Sequence, residues 1–357
     1  MQAPEAPSHE GVHGQSVATS EPPATGATAA QPPYLTARRI ILPGLRAQAF
    51  AVTFDRSGFV YAGGARDDGL GRLHATVWRA DGTGAVHPEE LPMPPGAQQS
   101  GVGTLAAAGG RVLAAAGGGD PGVWLRSPSG RWSLLTVPGV ATLHLVVADG
   151  MGWVGLGFNA AGQAVFARIQ ASGSETRVAL GLTGPAAAPS ALVRLGPRRW
   201  LATGGAPGFA AVSSDDGGHW LVSHQLAQQA ESLAAVLDGQ ACAVSDGRTR
   251  NPADRAQVSS DGLHWARTGG VGAADFGVVD EVVGGDGSAF AFGATRSETV
   301  AVWASHDCRT WVRSEPQPAI TRTEPVYGAA AGDKLALVVR QGTGPTELIV
   351  LEQQRRN

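Results

Sequence analysis

The sequence predicts an all-β protein, a seven-bladed β-propeller built from four-stranded antiparallel blades. One observation is a recurring pattern of an apolar pair, small polar residues, Asp-Gly and Trp. Another is the nearly constant step between the repeats. The third is composition, since 357 residues include 51 glycines and 23 prolines but only 16% charged residues. Such a composition is typical of short strands joined by many tight turns.

The repeats are located by one apolar anchor position in each. The anchors are Trp78, Trp124, Phe166, Val212, Val258, Trp303 and Ile349. Successive anchors lie 46, 42, 46, 46, 45 and 46 residues apart. This period matches one four-stranded propeller blade, so seven anchors predict seven blades.

Each repeat is predicted to contain four strands in the same order. An apolar stretch leads through a turn to a second apolar run, and a variable loop leads to the anchor strand and a short fourth strand. In the sixth repeat the predicted strands are residues 282–285, 289–293, 299–304 and 311–314. Their β-branched and aromatic residues, with Gly and Asp between them, favour strands joined by hairpins.

The last repeat is too short to supply its own fourth strand, because only eight residues follow Ile349. Residues 38–42 are strand-like and have no blade of their own. We therefore predict that they pair with residues 346–351 and close the ring, which would remove an open sheet edge.

The chain is divided into a tail, residues 1–33, and a propeller, residues 34–357. The tail is rich in Pro, Ala, Ser, Thr and Gly and has almost no large apolar residue, so we expect it to be disordered. It lacks the basic and apolar regions of a signal peptide. It resembles the stalk that follows a removed export signal in exported bacterial proteins. We interpret the protein as secreted or anchored at the cell surface; a cytosolic tail is the alternative.

Two cysteines are too few for a disulfide framework. Cys242 lies in an apolar alternation and Cys308 lies at a turn. We interpret both as free thiols. No Cys or His spacing indicates a metal site, and no cofactor motif is present.

The turn motif resembles a known repeat. Residues 213–220 read Ser-Ser-Asp-Asp-Gly-Gly-His-Trp, and residues 259–265 and 305–311 are degenerate copies. This pattern resembles the Asp box of sialidase-like (BNR-repeat) propellers. The resemblance implies that the Asp caps its hairpin and that the Trp packs between blades. WD40 propellers fit less well because no Trp-Asp ends the third strand, and kelch propellers because their Tyr and Trp spacing is missing.

Sialidase activity does not follow from that resemblance, because the motif marks outer hairpins. Sialidases use an arginine triad, a Tyr–Glu pair and an acidic residue. This chain has three tyrosines, of which Tyr327 alone falls in a predicted innermost strand. Fold resemblance by itself carries little information on activity.

Acidic residues at the starts of innermost strands are the candidate catalytic residues. They are Glu231, Asp280, Glu281 and Glu324. Carboxylates brought together at one sector of the channel can serve as general acid and base, as in glycosidases. They could equally bind a cation or a basic ligand, or they could be solvated turn residues.

Candidate binding residues lie in the innermost strands and in two long loops. His144 and Tyr327 are expected to face the channel. The loops, residues 66–73 and 245–255, join second to third strands and gather at the channel mouth. They contribute Asp67, Asp68, Arg248 and Arg250. Variable loops on a rigid scaffold are where recognition is usually found, although solvated loop charge is an equally plain interpretation.

The sequence favours a non-catalytic propeller that binds a ligand through its channel-mouth loops. The ligand class stays open between a small molecule, a glycan and a protein. A net charge of −3 without a basic stripe argues against nucleic acid. No apolar run is long enough to span a bilayer, and we expect a monomer. The alternatives are a glycoside hydrolase-like or lyase enzyme using channel carboxylates, and an assembly factor that docks partner proteins.

Overall fold

The described residues form seven blades of four antiparallel strands each, as the sequence predicts, and the sheet of the seventh blade carries one additional short strand. The computed structural model describes residues 35–117, 121–204, 208–226, 232–245, 255–268, 277–285, 287–332 and 334–353. The predicted tail, residues 1–33, lies outside these residues. No helix in these ranges has the length and apolar character needed to cross a membrane.

The first four blades each take four consecutive strands. Blade 1 contains β2 (Leu45–Phe54), β3 (Val60–Asp67), β4 (Leu73–Ala80) and β5 (Val86–Glu90). Blade 2 contains β6 (Val102–Ala108), β7 (Arg111–Ala116), β8 (Val123–Arg126) and β9 (Trp132–Leu134). Blade 3 contains β10 (Thr142–Asp149), β11 (Gly152–Phe158), β12 (Ala164–Gln170) and β13 (Gly173–Val178). Blade 4 contains β14 (Ala191–Gly196), β15 (Arg199–Gly204), β16 (Phe209–Ser213) and β17 (Leu221–Ser223), and a single-turn 3₁₀ helix, Gly184–Ala187, precedes it.

The remaining blades follow the same order until the ring closes. Blade 5 contains β18 (Ser232–Leu237), β19 (Gln240–Ser245), β20 (Ala256–Ser259) and β21 (Ala266–Arg267). Blade 6 contains β22 (Val278–Gly285), β23 (Ser288–Ala294), β24 (Val300–Ser305) and β25 (Val312–Ser314). Blade 7 contains β27 (Tyr327–Ala331), β28 (Lys334–Arg340), β29 (Thr346–Gln353) and the N-terminal strand β1 (Leu35–Ile41). Every predicted anchor lies in the third strand of its blade.

The predicted closure by the N-terminal strand is confirmed. β1 pairs antiparallel with β29 from Leu35 opposite Gln353 to Ile41 opposite Glu347. A two-residue strand, β26 (Pro316–Gln317), pairs parallel with β1 and covers part of the edge. Because the first and last strands of the described chain share one sheet, blade 7 can open only if the chain ends separate.

Buried tryptophan side chains form hydrogen bonds that link the strands to neighbouring segments of the chain. The rings of Trp78, Trp124 and Trp153 are fully buried. Their Nε1–H groups donate to backbone carbonyls of Pro43, Pro92 and Ala106 at 2.7–2.8 Å. Burial of these large rings supplies much of the hydrophobic stabilisation, and each donor is satisfied, which avoids the cost of an unpaired polar group.

The recurring motif forms the hairpin between the third and fourth strands. In blade 5, Asp261 accepts the N–H groups of Leu263 and His264 at 2.9 and 2.8 Å, and Ser259 Oγ accepts the N–H of Gly262 at 2.7 Å. Gly262 has a positive φ of 76°, and an added Cβ would lie 2.6 Å from Val212 of blade 4. The turn therefore packs on the preceding blade, and a glycine fits there for both reasons.

The interpretation of two free thiols is wrong, because Cys242 and Cys308 form a disulfide. Cys308 occupies the motif position that Gly262 holds in blade 5. Its φ is 59°, which is positive as at Gly262. Its side chain therefore points to the preceding blade, where β19 carries Cys242 with a Cα–Cα distance of 5.6 Å. The separation of 66 residues in sequence is bridged because adjacent blades are neighbours in the ring.

Candidate functional site

The candidate site is a central cavity of about 710 Å³. Its wall includes residues from the innermost strand of every blade, β2, β6, β10, β14, β18, β22 and β27. Most of the lining side chains are small or apolar. A concave, largely apolar site with a few polar groups is the usual form of a ligand pocket.

Backbone irregularities decide which side chains reach this wall. The pairing of innermost strands with second strands skips one residue at Phe50, Gly103, His144 and Asp280. These are β-bulges, which redirect side chains and recur near functional sites. In blade 6, Val279 and Glu281 oppose consecutive residues of β23, which leaves Asp280 outside the ladder. As a result, the neighbouring residues Asp280 and Glu281 both line the cavity.

Asp280 is held in an ion pair. Its carboxylate contacts the guanidinium of Arg322 and accepts the N–H of Val326 at 2.9 Å. Both side chains of the pair are only 9% exposed. Arg322 also approaches Glu298 at 3.4 Å. Asp280 is therefore a compensated charge that attaches blade 6 to the chain entering blade 7, and removing Arg322 would take away the counter-ion of a buried carboxylate.

Glu281 has a different environment. Its carboxylate accepts the N–H of Gly328 in blade 7. Among the ion pairs of the described residues, none includes Glu281. Burial raises the pKa of Glu281 to about 7, with a smaller contribution from the nearby charge of Asp280. The side chain keeps a partly accessible surface on the cavity, so a ligand entering the cavity can meet a carboxyl that titrates near neutrality.

The other two candidate carboxylates do not join this pair in the structure. Glu324 lies before β27 and pairs with Arg340 at 2.6 Å, while the next residue, Pro325, lines the cavity. Its side chain is 43% exposed. Glu231 falls outside the described residues. The structure thus brings Asp280 and Glu281 to the wall from the predicted set of four.

His144 and Tyr327 both line the cavity, where the sequence placed them. His144 is the bulged residue of β10, is exposed, and packs edge-on against Phe158 with ring centroids 5.0 Å apart. Partial burial lowers its pKa. Tyr327 packs edge-on against Phe50 at 6.4 Å. Burial raises the pKa of Tyr327, and the negative charge of Glu281 adds to that effect.

Where the structure describes the predicted loop candidates, their carboxylates accept hydrogen bonds from backbone N–H groups of the same loop. The first loop is shorter than predicted, because β3 extends to Asp67 and β4 begins at Leu73. Asp67 accepts the N–H of Gly69 at 2.7 Å. Asp68 accepts the N–H of Leu70 at 2.7 Å, which holds the pKa of its carboxyl below the ordinary value. Arg248 and Arg250 lie outside the described residues.

Arg322 and Phe50 were not among the site residues predicted from the sequence. Arg322 lies in the connection between blades 6 and 7, where no local pattern marks it as the partner of Asp280. Phe50 was not predicted to face the cavity because the alternation of apolar and polar residues along β2 does not reveal the bulge. Among the described arginines, Arg194 is the one on the cavity wall, and it pairs with Asp149 at 2.5 Å. The arginine triad of sialidases is therefore not assembled by the described residues.

Comparison with solved structures finds other propellers. A chain from "Crystal Structure of Mitotic Checkpoint Complex" has a TM-score of 0.62 at 10% identity, covering 96% of this chain and 98% of its own. "YCF48 bound to D1 peptide" has a TM-score of 0.61 at 13% identity, covering 91% and 100%. "YCF48 from Cyanidioschyzon merolae" has a TM-score of 0.59 at 13% identity, covering 89% and 98%. At such low identity the likeness shows the fold alone.

No family model matches the sequence, and no curated protein matches it. The comparisons therefore show the fold of this chain and nothing more specific. The arrangement can bind a ligand in a concave cavity lined mainly by apolar side chains, and it presents one carboxyl whose charge depends on pH near neutrality.

Proposed function

We propose that this protein is a non-catalytic propeller that binds a peptide segment of a partner protein at the mouth of its central cavity. The observation that carries the proposal is the cavity of about 710 Å³, lined by all seven blades. Its volume suits a few side chains of a peptide. Its apolar wall supplies contact area, and its few polar groups supply orientation.

Most polar groups near the cavity already interact with other residues of the protein, and this supports binding over catalysis. Asp280 is paired with Arg322 and Arg194 with Asp149. Groups already committed to ion pairs are poor acids, bases or nucleophiles, but they make a rigid wall. A rigid wall lowers the entropy cost of binding a flexible peptide.

The structural neighbours add support of a weaker kind. One of them is described as bound to a peptide, and another comes from a multi-protein complex. Propellers of this shape therefore can hold protein partners, which makes a protein segment our choice over a glycan or a small molecule.

The disulfide between Cys242 and Cys308 supports an exported protein. Disulfides persist in oxidising compartments and are rare in the cytosol. We propose that the chain works outside the cytosol, in agreement with its stalk-like N-terminal segment. Thiol titration of the denatured protein, purified from its native cells, should find no free thiol; two free thiols would contradict the export proposal.

The turn chemistry supports a relation to Asp-box propellers. In the motif of blade 4, Ser213 Oγ donates to Asp215 at 2.9 Å, and Asp215 accepts the N–H of His219 at 2.8 Å. In blade 6, Asp307 accepts the N–H of Thr310 at 2.7 Å. We infer that the repeats descend from that type and have kept its structural turn.

Peptide display on the purified protein tests the proposed function. A random peptide library should yield binders, and His144→Trp should weaken their binding because the larger ring occupies part of the cavity. The matched control is His87→Trp, since His87 is exposed on the outer strand β5. Binders that tolerate His144→Trp as well as His87→Trp would contradict binding in the cavity, and a library that yields no binder would contradict peptide binding.

A glycosidase or lyase is the second candidate, favoured by the single observation that Glu281 has a pKa of about 7. A general acid works best when its pKa is near the working pH. A panel of chromogenic glycosides and uronide polymers should show turnover lost in Glu281→Gln if this candidate is correct. Turnover absent from the unmodified protein at every pH from 5 to 8 removes it.

A further inference from the structure

Three neighbouring innermost strands bring an acid and two aromatic rings to one level of the cavity. Paired residues of the first three strands of a blade form rows across the sheet. Glu281 of blade 6 and Tyr327 of blade 7 each lie in the row next to the one that contains the anchor of their blade. The corresponding residue in blade 1 is Ala51, and the bulged Phe50 lies beside it. We call the wall formed by Glu281, Tyr327 and Phe50 the acid–aromatic recess.

The recess is held in shape by contacts between blades. Glu281 is fixed by the N–H of Gly328, which follows Tyr327 in β27. Tyr327 in turn is fixed by the ring of Phe50 in edge-to-face geometry. Each of the three residues is therefore positioned by a neighbouring blade before any ligand arrives, and the recess is preorganised.

The charge of this wall is negative when Glu281 is ionised. Asp280 beside it is neutralised by Arg322. From blade 7, Tyr327 and the more distant Glu324, itself paired with Arg340, face the same region. From blade 5, the lining residues Ala234 and Val236 carry no charge. No described cation is paired with Glu281, so a cation from outside would find an unneutralised carboxylate in a medium that screens charge poorly.

Aromatic rings beside a carboxylate favour a particular kind of cation. Ring faces attract ammonium and guanidinium groups, and ring edges and methylene groups pack against the hydrocarbon stem of such a side chain. An inorganic cation would need several oxygen ligands, and the described residues contain no group of three or more acidic, His or Cys side chains able to hold one.

We propose that the acid–aromatic recess receives the basic side chain, lysine or arginine, of the partner peptide, with Glu281 as its counter-ion. This inference rests on the proposed peptide-binding function and names the residue class that the peptide must carry. The charged end of the side chain meets the Glu281 carboxylate, and its stem lies against Tyr327 and Phe50.

The position of Glu281 makes this recognition dependent on pH. Burial holds its pKa at about 7 in the free protein. A bound cation favours the ionised carboxylate, so binding strengthens as pH rises from 6 to 8 and releases a proton at the lower end of that range.

Small probes test the recess directly. Nα-acetyl-lysine methylamide and Nα-acetyl-arginine methylamide should bind the full chain in an NMR titration at pH 8, with shifts at residues of the recess. The norleucine analogue, which lacks the charge, should bind at least 10-fold more weakly. Between pH 8 and pH 6 the affinity for the lysine probe should fall several-fold.

Variants separate the recess from general electrostatics. Glu281→Gln should weaken the lysine probe at least 10-fold and remove its pH dependence, while the Gln side chain can keep the bond to Gly328. Glu175→Gln is the matched control, because Glu175 is an exposed acid on the outer strand β13, paired with Arg177. Equal binding of lysine and norleucine probes, or unchanged binding by Glu281→Gln, overturns the proposal.

Selected peptides separate failure of the recess from failure of the proposed function. Peptides that bind in the cavity, as judged by His144→Trp, should share a basic residue and lose affinity in Glu281→Gln. Cavity-binding peptides that carry no basic residue would overturn the recess and leave peptide binding intact.

Discussion

Carboxylates occupy two contrasting regions of this propeller, the outer hairpin turns and the wall of the central cavity. In the turn of blade 5, Asp261 is paired with the His264 ring and accepts backbone N–H groups, which hold the pKa of its carboxyl well below the ordinary value. In the cavity, burial raises the pKa of Glu281 to about 7. The same chemical group is a structural cap where donors surround it and a site for a cation where they are few.

The turn acids recur along the sequence, whereas the cavity acid does not. The turns of blades 4, 5 and 6 use the same kind of cap, so Asp215, Asp261 and Asp307 occupy equivalent positions. The cavity is shared by all blades, so one sector can be acidic while the others stay apolar. A departure from the repeat is then the place to look for function.

The largest effect is expected at the compensated acid of the wall. Arg322→Met should lower the free energy of unfolding by about 3 to 5 kcal/mol, because Asp280 is left buried without its partner. Urea denaturation at pH 7 measures the change. Arg177→Met is the matched control, since Arg177 pairs with Glu175 on an exposed edge, and exposed pairs contribute about 0 to 1 kcal/mol. Equal losses in the two variants would show that Asp280 is not held as described.

A smaller effect of opposite sign is expected at Glu281. Its pKa is raised on folding, so its contribution to stability is fully present below the ordinary pKa and is lost as pH rises through about 7. Glu281→Gln should therefore leave stability near pH 4.5 almost unchanged. At pH 8 the variant should be more stable than the unmodified protein by on the order of 3 kcal/mol, since the pKa of Glu281 rises from 4.5 to about 7 on folding and one pKa unit corresponds to about 1.4 kcal/mol.

Urea denaturation of both proteins at a series of pH values measures that gain. A Glu281→Gln protein with the same pH profile as the unmodified chain would mean that folding does not change the pKa of Glu281, and the contrast between the two regions would disappear.

The smallest effect is expected in a turn. Asp261→Ala removes the acceptor for the N–H groups of Leu263 and His264 and should cost about 1 kcal/mol at pH 7. The loss should shrink as pH falls below 4, because the lowered pKa of Asp261 means that its stabilising contribution is lost on protonation. Thermal unfolding of both proteins at pH 7 and pH 3 tests this; a difference in stability that is independent of pH would contradict it.

The fold was largely predictable because it is repeated. Regular apolar anchors locate the third strands, and a missing last strand predicts closure by β1. In the sixth blade the predicted strand at residues 289–293 is observed as Ser288–Ala294. The innermost strand is longer than predicted, Val278–Gly285 instead of residues 282–285, because Val278, Val279 and Glu281 on either side of the bulge also pair with β23.

The site was only partly predictable because it depends on departures from the repeat. A bulge such as that at Asp280 leaves no mark in hydrophobic alternation, and the pairing of Asp280 with Arg322 links different blades. The disulfide did leave a signal, since Cys308 stands where Gly262 stands in the preceding repeat. An alignment of the turns therefore indicates that the Cys308 thiol points to the previous blade.

Hydrogen–deuterium exchange of the full chain with and without a selected peptide tests whether the peptide binds at the cavity. We expect slower exchange in the innermost strands Leu45–Phe54, Val278–Gly285 and Tyr327–Ala331, with the outer hairpin turns unchanged. Protection confined to the outer strands and the turns that carry Asp215 and Asp261 would contradict binding at the cavity, because the peptide would then lie on the rim of the ring.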